Sequence, residues 1–482
     1  MNPTFDNAND FPELASKVRF KTLANGFRVI VVPRGEAPVV SFHTYVDVGS
    51  VDERPGITGI AHMFEHMAFK GSRRIGTKNW EQEKRALDQE EIAYLTYREA
   101  SDRNDISAPE LKKNFESTVE HALAFVASEE YSTAIERSGG VGLNASTSTD
   151  STQYYYSLPA NKIELWAWLE SERFADPVLR EFYKERDVVQ EERRLRTDSN
   201  PLGKMIEEAL IAAFENHPYG RPVIGFQKDL EHFSRTEALE FYKQTYGPSK
   251  MVIAIVGKVD PEQTYQLVER YFSRIEANTP VPAPPQPGPR EPGEKRLEVP
   301  LAAQPVYVSL YRRPNVRHED DPVYQVIADL LGGGDYSRLQ KAVVKTGLAL
   351  ACQAAPEFPG GKYTTGFLIF AIPSHDHSVE EIETVIDKEL ESLAADGPTP
   401  SELAGVRERA KSDFLSSIET NSGLAHALAT NEAIGGGWRE TFKTVTKINS
   451  ITAERVKAVA AATLTKTNRT VVVIKTNAAS KP

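Results

Sequence analysis

A single cysteine, Cys352, stands in the 482 residues of this chain. That scarcity excludes an internal disulfide framework and any zinc site built on thiolates, and leaves Cys352 as a small buried hydrophobe. Long apolar runs are missing too: none approaches the ~20 residues that a membrane-spanning helix needs. Positive charge is in short supply, with 57 Lys and Arg against 68 Asp and Glu and a net charge of −11. Nucleic-acid recognition requires a basic surface, so that function class is excluded, whereas basic peptides are compatible ligands. The N-terminal stretch "MNPTFDNANDFPELASKV" lacks the basic segment and apolar core of a signal peptide. The expectation is a cytoplasmic protein, or a periplasmic one if a leader has been removed. What remains is an ordinary globular composition, 40% hydrophobic and 26% charged, with length for roughly three domains by the usual prior.

Proline is concentrated in "TPVPAPPQPGPREPGEK", residues 279–295. It stiffens the chain toward polyproline II, as a semi-rigid linker does. It separates residues 1–278 from 296–482, and the two parts look related. "SRTEALEFYKQTYGPSKMVIAIVG" from Ser234 and "SITAERVKAVAAATLTKTNRTVVVI" from Ser450 both read as Ser-x-Thr, an amphipathic helix, a polar turn and a β-branched strand. Each half also opens on strands, "RVIVVP" and "VSFHTYVDVG" in the first and "VYVSLYRR" in the second. The order predicts two homologous α+β domains, each a mostly antiparallel sheet with helices packed on one face. A charge-rich stretch at about 79–137, two helical patterns joined by "SDRNDIS", reads as a helical hairpin inserted in the first domain. A solvated arm is the simplest account of it, and a substrate or partner contact the other.

The chemistry centres on "HMFEH", residues 62–66. Pro55-Gly56 ends the preceding strand region, Thr58 is positioned as an N-cap and Gly71 as the C-terminal stop, which predicts one short helix. On it His62, Glu65 and His66 fall within about 100° of one another, with Ile60, Met63, Phe64 and Met67 opposite. Imidazoles at i and i+4 can reach one ion, and a catalytic zinc takes three protein ligands and keeps a fourth position open. "FYKERDVVQEERRLRTDSNP" supplies the third candidate: Glu185, Val188, Val189 and Glu192 share one face, while Glu191 and Arg193 point elsewhere. A carboxylate directed inward beside valines is expensive unless a metal compensates it. Glu185, one repeat back from Glu192, is placed to hold a ligand in position. The bland alternatives are a polar exposed face and an ordinary charged helix. His375-Asp376-His377 reads as a solvated turn, and "GGGDYSR" from Gly332 lacks the Lys-Ser/Thr of a phosphate loop.

His62-x-x-Glu65-His66 is the inverted zinc motif. With "ERDVVQEE" it resembles the pitrilysin/insulinase family of zinc metallopeptidases, most closely the short-chain branch of bacterial processing peptidases and the mitochondrial processing peptidase. "NGFRVIVVPRGEAPVVSF", "FEHMAFKGS", "GLNASTSTDSTQYYYSLP", "HPYGRPVIG" and "LLGGGDYSRL" carry the resemblance along nearly the whole chain. His66 and Glu192 stand about fifty residues further apart than is usual in that family, which the hairpin accounts for. The resemblance implies a zinc metalloendopeptidase, one Zn2+ per chain on His62, His66 and Glu192, with Glu65 as general base. It also implies substrate pairing along an edge strand at Asn144, Ala145, Ser146 and Thr147, with Asn144 foremost. Family active units close about four such domains around a chamber, so a dimer is expected. Many relatives carry an Arg and a Tyr in a segment R-G-L-A-Y that assists the reaction. Here "TGLAL" puts Thr346 and Leu350 at those places, which favours a heterodimer with a homologous subunit lacking the zinc motif. The rival implication is a non-catalytic core subunit of a peptidase-like complex.

Overall fold

The computed structural model describes residues 10–278, 282–284, 286–288 and 293–476, so the linker at 279–295 lies partly outside the described residues. Among the described residues, runs of Val, Ile, Phe and Tyr form eleven strands in two sheets. In the first, β1 (Arg19–Thr22), β2 (Arg28–Pro33), β3 (Val39–Val46), β4 (Val141–Thr147), β5 (Thr152–Pro159) and β6 (Met251–Gly257) lie in the order β1-β2-β6-β3-β5-β4. In the second, β7 (Lys295–Leu301), β8 (Val306–Arg313), β9 (Ala349–Phe358), β10 (Thr365–Pro373) and β11 (Arg469–Thr476) lie in the order β7-β11-β8-β10-β9. β2–β6 and β7–β11 are parallel and every other neighbouring pair is antiparallel. Leaving out β1, the orders correspond strand for strand, and β4 and β9 are the matching edges. The fold is α+β, one topology used twice.

Side chains alternate across each sheet, and both faces are dry. Val29, Val31, Phe42, Ile253 and Ile255 point into a core made with the first half's own helices, including Ile60, Met63, Phe64, Met67 and Trp166. On the opposite face Ile30, Val32, Val252, Ala254 and Val256 pack against Leu424, Ala425, Leu428 and Ala429 of the helix Asn421–Ala433, which belongs to the second half. The second sheet returns the arrangement. Tyr307, Phe367, Ile369 and Val471 face its own helices, while Val308, Leu310, Val472 and Ile474 pack on Met205, Ala209 and Leu210 of the helix Pro201–Ala213 from the first half. The helices on one face are those expected; the covering of the other is a mutual loan. At ~25 cal/mol per Å2 of apolar surface, neither face can be left wet without a large loss.

The stretch at 79–137 forms two antiparallel helices, Trp80–Asp102 and Ala108–Leu123, then a third, Glu130–Arg137. The Asn79 side chain caps the first by accepting from the Gln82 N–H. It is more than a solvated arm: Glu83, Leu87, Glu90, Glu91 and Tyr94 are buried against the body. Ser234 caps the first half's closing helix with Glu237 in a reciprocal box. In the second half that position falls to Thr452, and Ser450 ends the preceding helix. Among the described residues no helix is long and apolar enough to cross a membrane.

Candidate metal centre

The motif helix spans Ile60–Met67. Its N-cap is Gly59, at φ +89°, where a Cβ would lie 2.6 Å from the Ile224 carbonyl oxygen, so only glycine fits. This shift leaves Thr58 one residue outside the helix. Instead of capping, its hydroxyl donates to Asp229 at 2.6 Å and accepts from the Phe226 N–H at 2.9 Å. The cap is the Glu53 carboxylate, which accepts from the N–H groups of Gly59 and Ala61, both at 2.9 Å. Burial outweighs those two bonds and raises the Glu53 pKa to about 8. Nor does Gly71 close the helix, which ends at Met67 with Ala68 as C-cap. Gly71 turns the chain afterwards, at φ +85°.

Ile60, Met63, Phe64 and Met67 are buried in the core, with Phe64 against the rings of Tyr242 and Tyr246. The polar face is thereby fixed toward the helix Phe182–Arg193. On that second helix Val189 is fully buried but Val188 is 46% exposed, contrary to a face directed inward throughout. Arg193 is buried, on Glu207 at 2.8 Å and the Gly225 carbonyl at 2.6 Å, rather than solvated. Glu185 and Glu192 therefore stand on the boundary between a dry face and an open one. A reacting site needs that boundary, because substrate must reach it.

Ligand atoms of His62, His66 and Glu192 all lie within 4.8 Å of one another. Both imidazoles aim Nε2 at one oxygen of Glu192: Oε2 is 3.8 Å from His62 and 3.5 Å from His66. Ligands on a tetrahedral zinc at ~2.0–2.1 Å stand about 3.3 Å apart, and both pairs with Glu192 are close to that spacing. Every other contact of the cluster restrains it. His66 Nδ1 is 3.4 Å from Glu185 Oε2, and the other oxygen of Glu185 accepts from Lys70 Nζ at 2.5 Å. Oε1 of Glu192 is 2.6 Å from Arg196. The Nδ1 of His62 is buried with no partner among the described residues.

Burial, with help from His66 and Arg196, lowers the His62 pKa to about 3 and keeps the ring neutral, as a ligand must be. Burial also opposes charge on His66, but the hydrogen bond to Glu185 and the carboxylates of Glu192, Glu185 and Glu65 outweigh it and raise its pKa. Burial opposes charge on Glu185 too, yet His66 and Lys70 bring its pKa down to about 2. The Glu65 carboxylate, half-buried on the same face, makes no hydrogen bond or ion pair with the described residues. Two imidazole nitrogens, both neutral once His66 gives up its proton, and one carboxylate form a donor set that suits zinc.

Asn144–Thr147 lie on β4, the edge of the first sheet, packed against the motif helix. The Asn144 side chain is exposed and accepts from the Ala145 N–H at 2.9 Å. Thr346 lies in the turn before β9 and Leu350 is the second residue of that strand, both exposed. His375 and Asp376 are exposed in the turn before a helix, where His377 meets Glu381. Lys70, Arg196 and Glu53 are the participants that sequence reasoning missed. Only Lys70, inside "FKGS", carried a local signal.

Two sequence models of peptidases match: Insulinase (Peptidase family M16) over residues 28–97 and 119–226, and Peptidase M16 inactive domain over residues 232–410. The chain belongs to peptidase family M16. The first match breaks between 97 and 119, around the turn that joins the two long helices, and takes in residues 79–97 and 119–137 of the stretch expected as an insertion. The M16 relatives include zinc protease PqqE of Helicobacter pylori, 28% identical over 85% of this chain and 82% of that protein. Among solved structures, a protease from Helicobacter pylori has a TM-score of 0.79 at 25% identity, covering 95% of this chain and 99% of the other. A peptidase M16 inactive domain from Pseudomonas fluorescens shares the fold, with a TM-score of 0.76 at 16% identity over 96% and 100% of the two chains.

Proposed function

We propose that this member of the family is a zinc-bearing metalloendopeptidase subunit that cuts peptides with Glu65 as general base. One observation carries the reading: three ligand atoms within 4.8 Å, with a partnerless carboxylate on the same helix face. Zinc, when bound by His62, His66 and Glu192, supplies Lewis acidity toward the scissile carbonyl and makes a water easier to deprotonate. Glu65 takes that water's proton and returns it to the leaving amine, work worth ~10²–10⁴-fold in rate. Glu185 and Lys70 keep the His66 ring in one orientation. The outer edge of β4 offers backbone groups from Asn144 to Thr147 with which an extended peptide pairs as an added strand.

Glu65→Gln tests the reading. The variant is expected to keep one zinc per chain and to lose cleavage of a mixed peptide library read by mass spectrometry. Cleavage at the wild-type rate would sink the assignment of Glu65, and a wild-type chain without activity alone or with a partner would favour the non-catalytic core subunit. The name of the domain matched at 232–410 keeps that second reading in view. The partner reading is a dimer, favoured as a heterodimer, because Thr346 and Leu350 can donate neither a charge nor a phenol hydrogen bond to a developing oxyanion. Activity should rise on mixing this chain with a homologue encoded beside it. Full activity of the isolated chain, with no gain on mixing, refutes the heterodimer.

A further inference from the structure

We propose that the helix Trp80–Asp102 braces the metal centre, setting zinc affinity through a line of contacts that runs from the buried Glu83 to His66. This rests on the zinc reading given above. The line starts one turn into the helix Trp80–Asp102, where Glu83, 0% exposed, accepts from Arg180 Nε at 2.6 Å and Nη2 at 3.3 Å. Arg180 is as dry as its partner. Its other N–H groups donate to the Ser72 carbonyl at 2.8 Å, the Ile75 carbonyl at 3.0 Å and the Lys70 carbonyl. One guanidinium thus holds the 70–75 turn from within. Gly76 leaves it room, since a Cβ there would lie 2.6 Å from the guanidinium. That turn carries Lys70, whose Nζ donates to Glu181 at 3.0 Å and to Glu185 at 2.5 Å. Glu185 in turn faces His66 Nδ1 at 3.4 Å.

A second strut reaches the same helix. Arg186, next to Glu185, lies between the rings of Tyr94 and Tyr183, with its guanidinium carbon 4.6 and 4.9 Å from their centroids. It donates to the Tyr94 hydroxyl at 2.6 Å, while the Tyr183 hydroxyl donates to Glu91 at 2.7 Å. Tyr94 and Glu91 both belong to the hairpin. An arm kept only for solubility has no use for charges desolvated against the ligand-bearing helix. Removing one partner of such a pair leaves the other charged and unpaired. Partners of a ligand typically tune metal affinity 10–100-fold, and here the outermost member of the line comes from the helix Trp80–Asp102.

The test is zinc affinity of the full chain, measured by competition with a chromophoric chelator, alongside thermal unfolding of the metal-free protein. Glu83→Gln is expected to weaken zinc binding ~10-fold. Asp321→Asn, which disturbs the buried Arg313 pair of the second half, should lower the unfolding temperature and leave zinc affinity within about twofold. If Glu83→Gln does not fold, Lys70→Met reads the far end of the same line and should show the same ~10-fold loss. A folded Glu83→Gln or Lys70→Met chain that binds zinc as tightly as wild type overturns the brace alone. A wild-type chain that takes up no zinc overturns the zinc reading, and the brace with it.

Discussion

The helix that follows the second long strand of each sheet shows how two copies of one topology have diverged. In the first half it carries His62, Glu65 and His66; at the same place in the second half, Asp321–Gly332 carries Val323, Val326, Ile327, Leu330 and Leu331, all buried. The surroundings differ in the same sense. Around the candidate ligands the buried charged residues include Glu83, Arg180, Arg186, Arg193 and Glu207, whereas among the described residues of the second half the buried charges are Arg313 and Arg469. Donor atoms on a core-facing helix require counter-charges behind them, because each isolated buried charge is costly. The second half, relieved of that demand, packs its helix with hydrocarbon.

Substitutions that make one half resemble the other should widen or erase this difference. The largest effect is expected from Glu192→Gln, which removes the anionic ligand: zinc affinity should fall by more than the ~100-fold that loss of an outer partner costs. Full zinc retention by elemental analysis would strike Glu192 from the ligand set. Next comes pH. His66, its pKa raised, must shed a proton to bind metal, so zinc affinity should fall ~10-fold per pH unit below that pKa. His62, near 3, adds no further slope above about pH 4. Glu185→Gln lowers the His66 pKa and should move the onset of this loss to lower pH; an unmoved onset would show that Glu185 does not govern the ring.

Smaller effects test the seam between the halves. Asp150 accepts from the Tyr219 hydroxyl at 2.8 Å and from the N–H groups of Gly361 and Lys362 at 2.7 and 3.0 Å. Asp150→Ala strands three buried donors, and denaturant unfolding should report a loss of about 1–3 kcal/mol with zinc stoichiometry intact. The smallest change is expected from Asp329→Asn on the second half's helix, which weakens the partly exposed pair with Arg409. It should cost under about 1 kcal/mol and nothing in zinc binding; a zinc effect would mean the second half reaches the centre.

The repeated fold was legible because strand runs and closing helices obey local rules. Spacing alone puts His62 and His66 on one face of their helix, whereas Glu192 stands on another helix that the fold brings to them. Less legible was whatever depends on contacts distant in sequence. Nothing near Val188 tells that it lies at an open edge while Val189 is dry. The cap from Glu53 and the hold of Lys70 on Glu185 come from turns that periodicity does not register. Arg180 reads as one more surface cation until Glu83, a hundred positions upstream, is folded against it.

The exchanged helices also set a timetable. A ribosome finishes β6, and with it the first sheet, well before it reaches the helix Asn421–Ala433 that covers the sheet's outer face. At ~5–20 residues per second the nascent chain would carry Ile30, Val32, Val252, Ala254 and Val256 bare for roughly 10–35 s. During that interval the half bearing the candidate metal ligands is the half most exposed to aggregation, and its cover is encoded more than 160 residues after β6 ends.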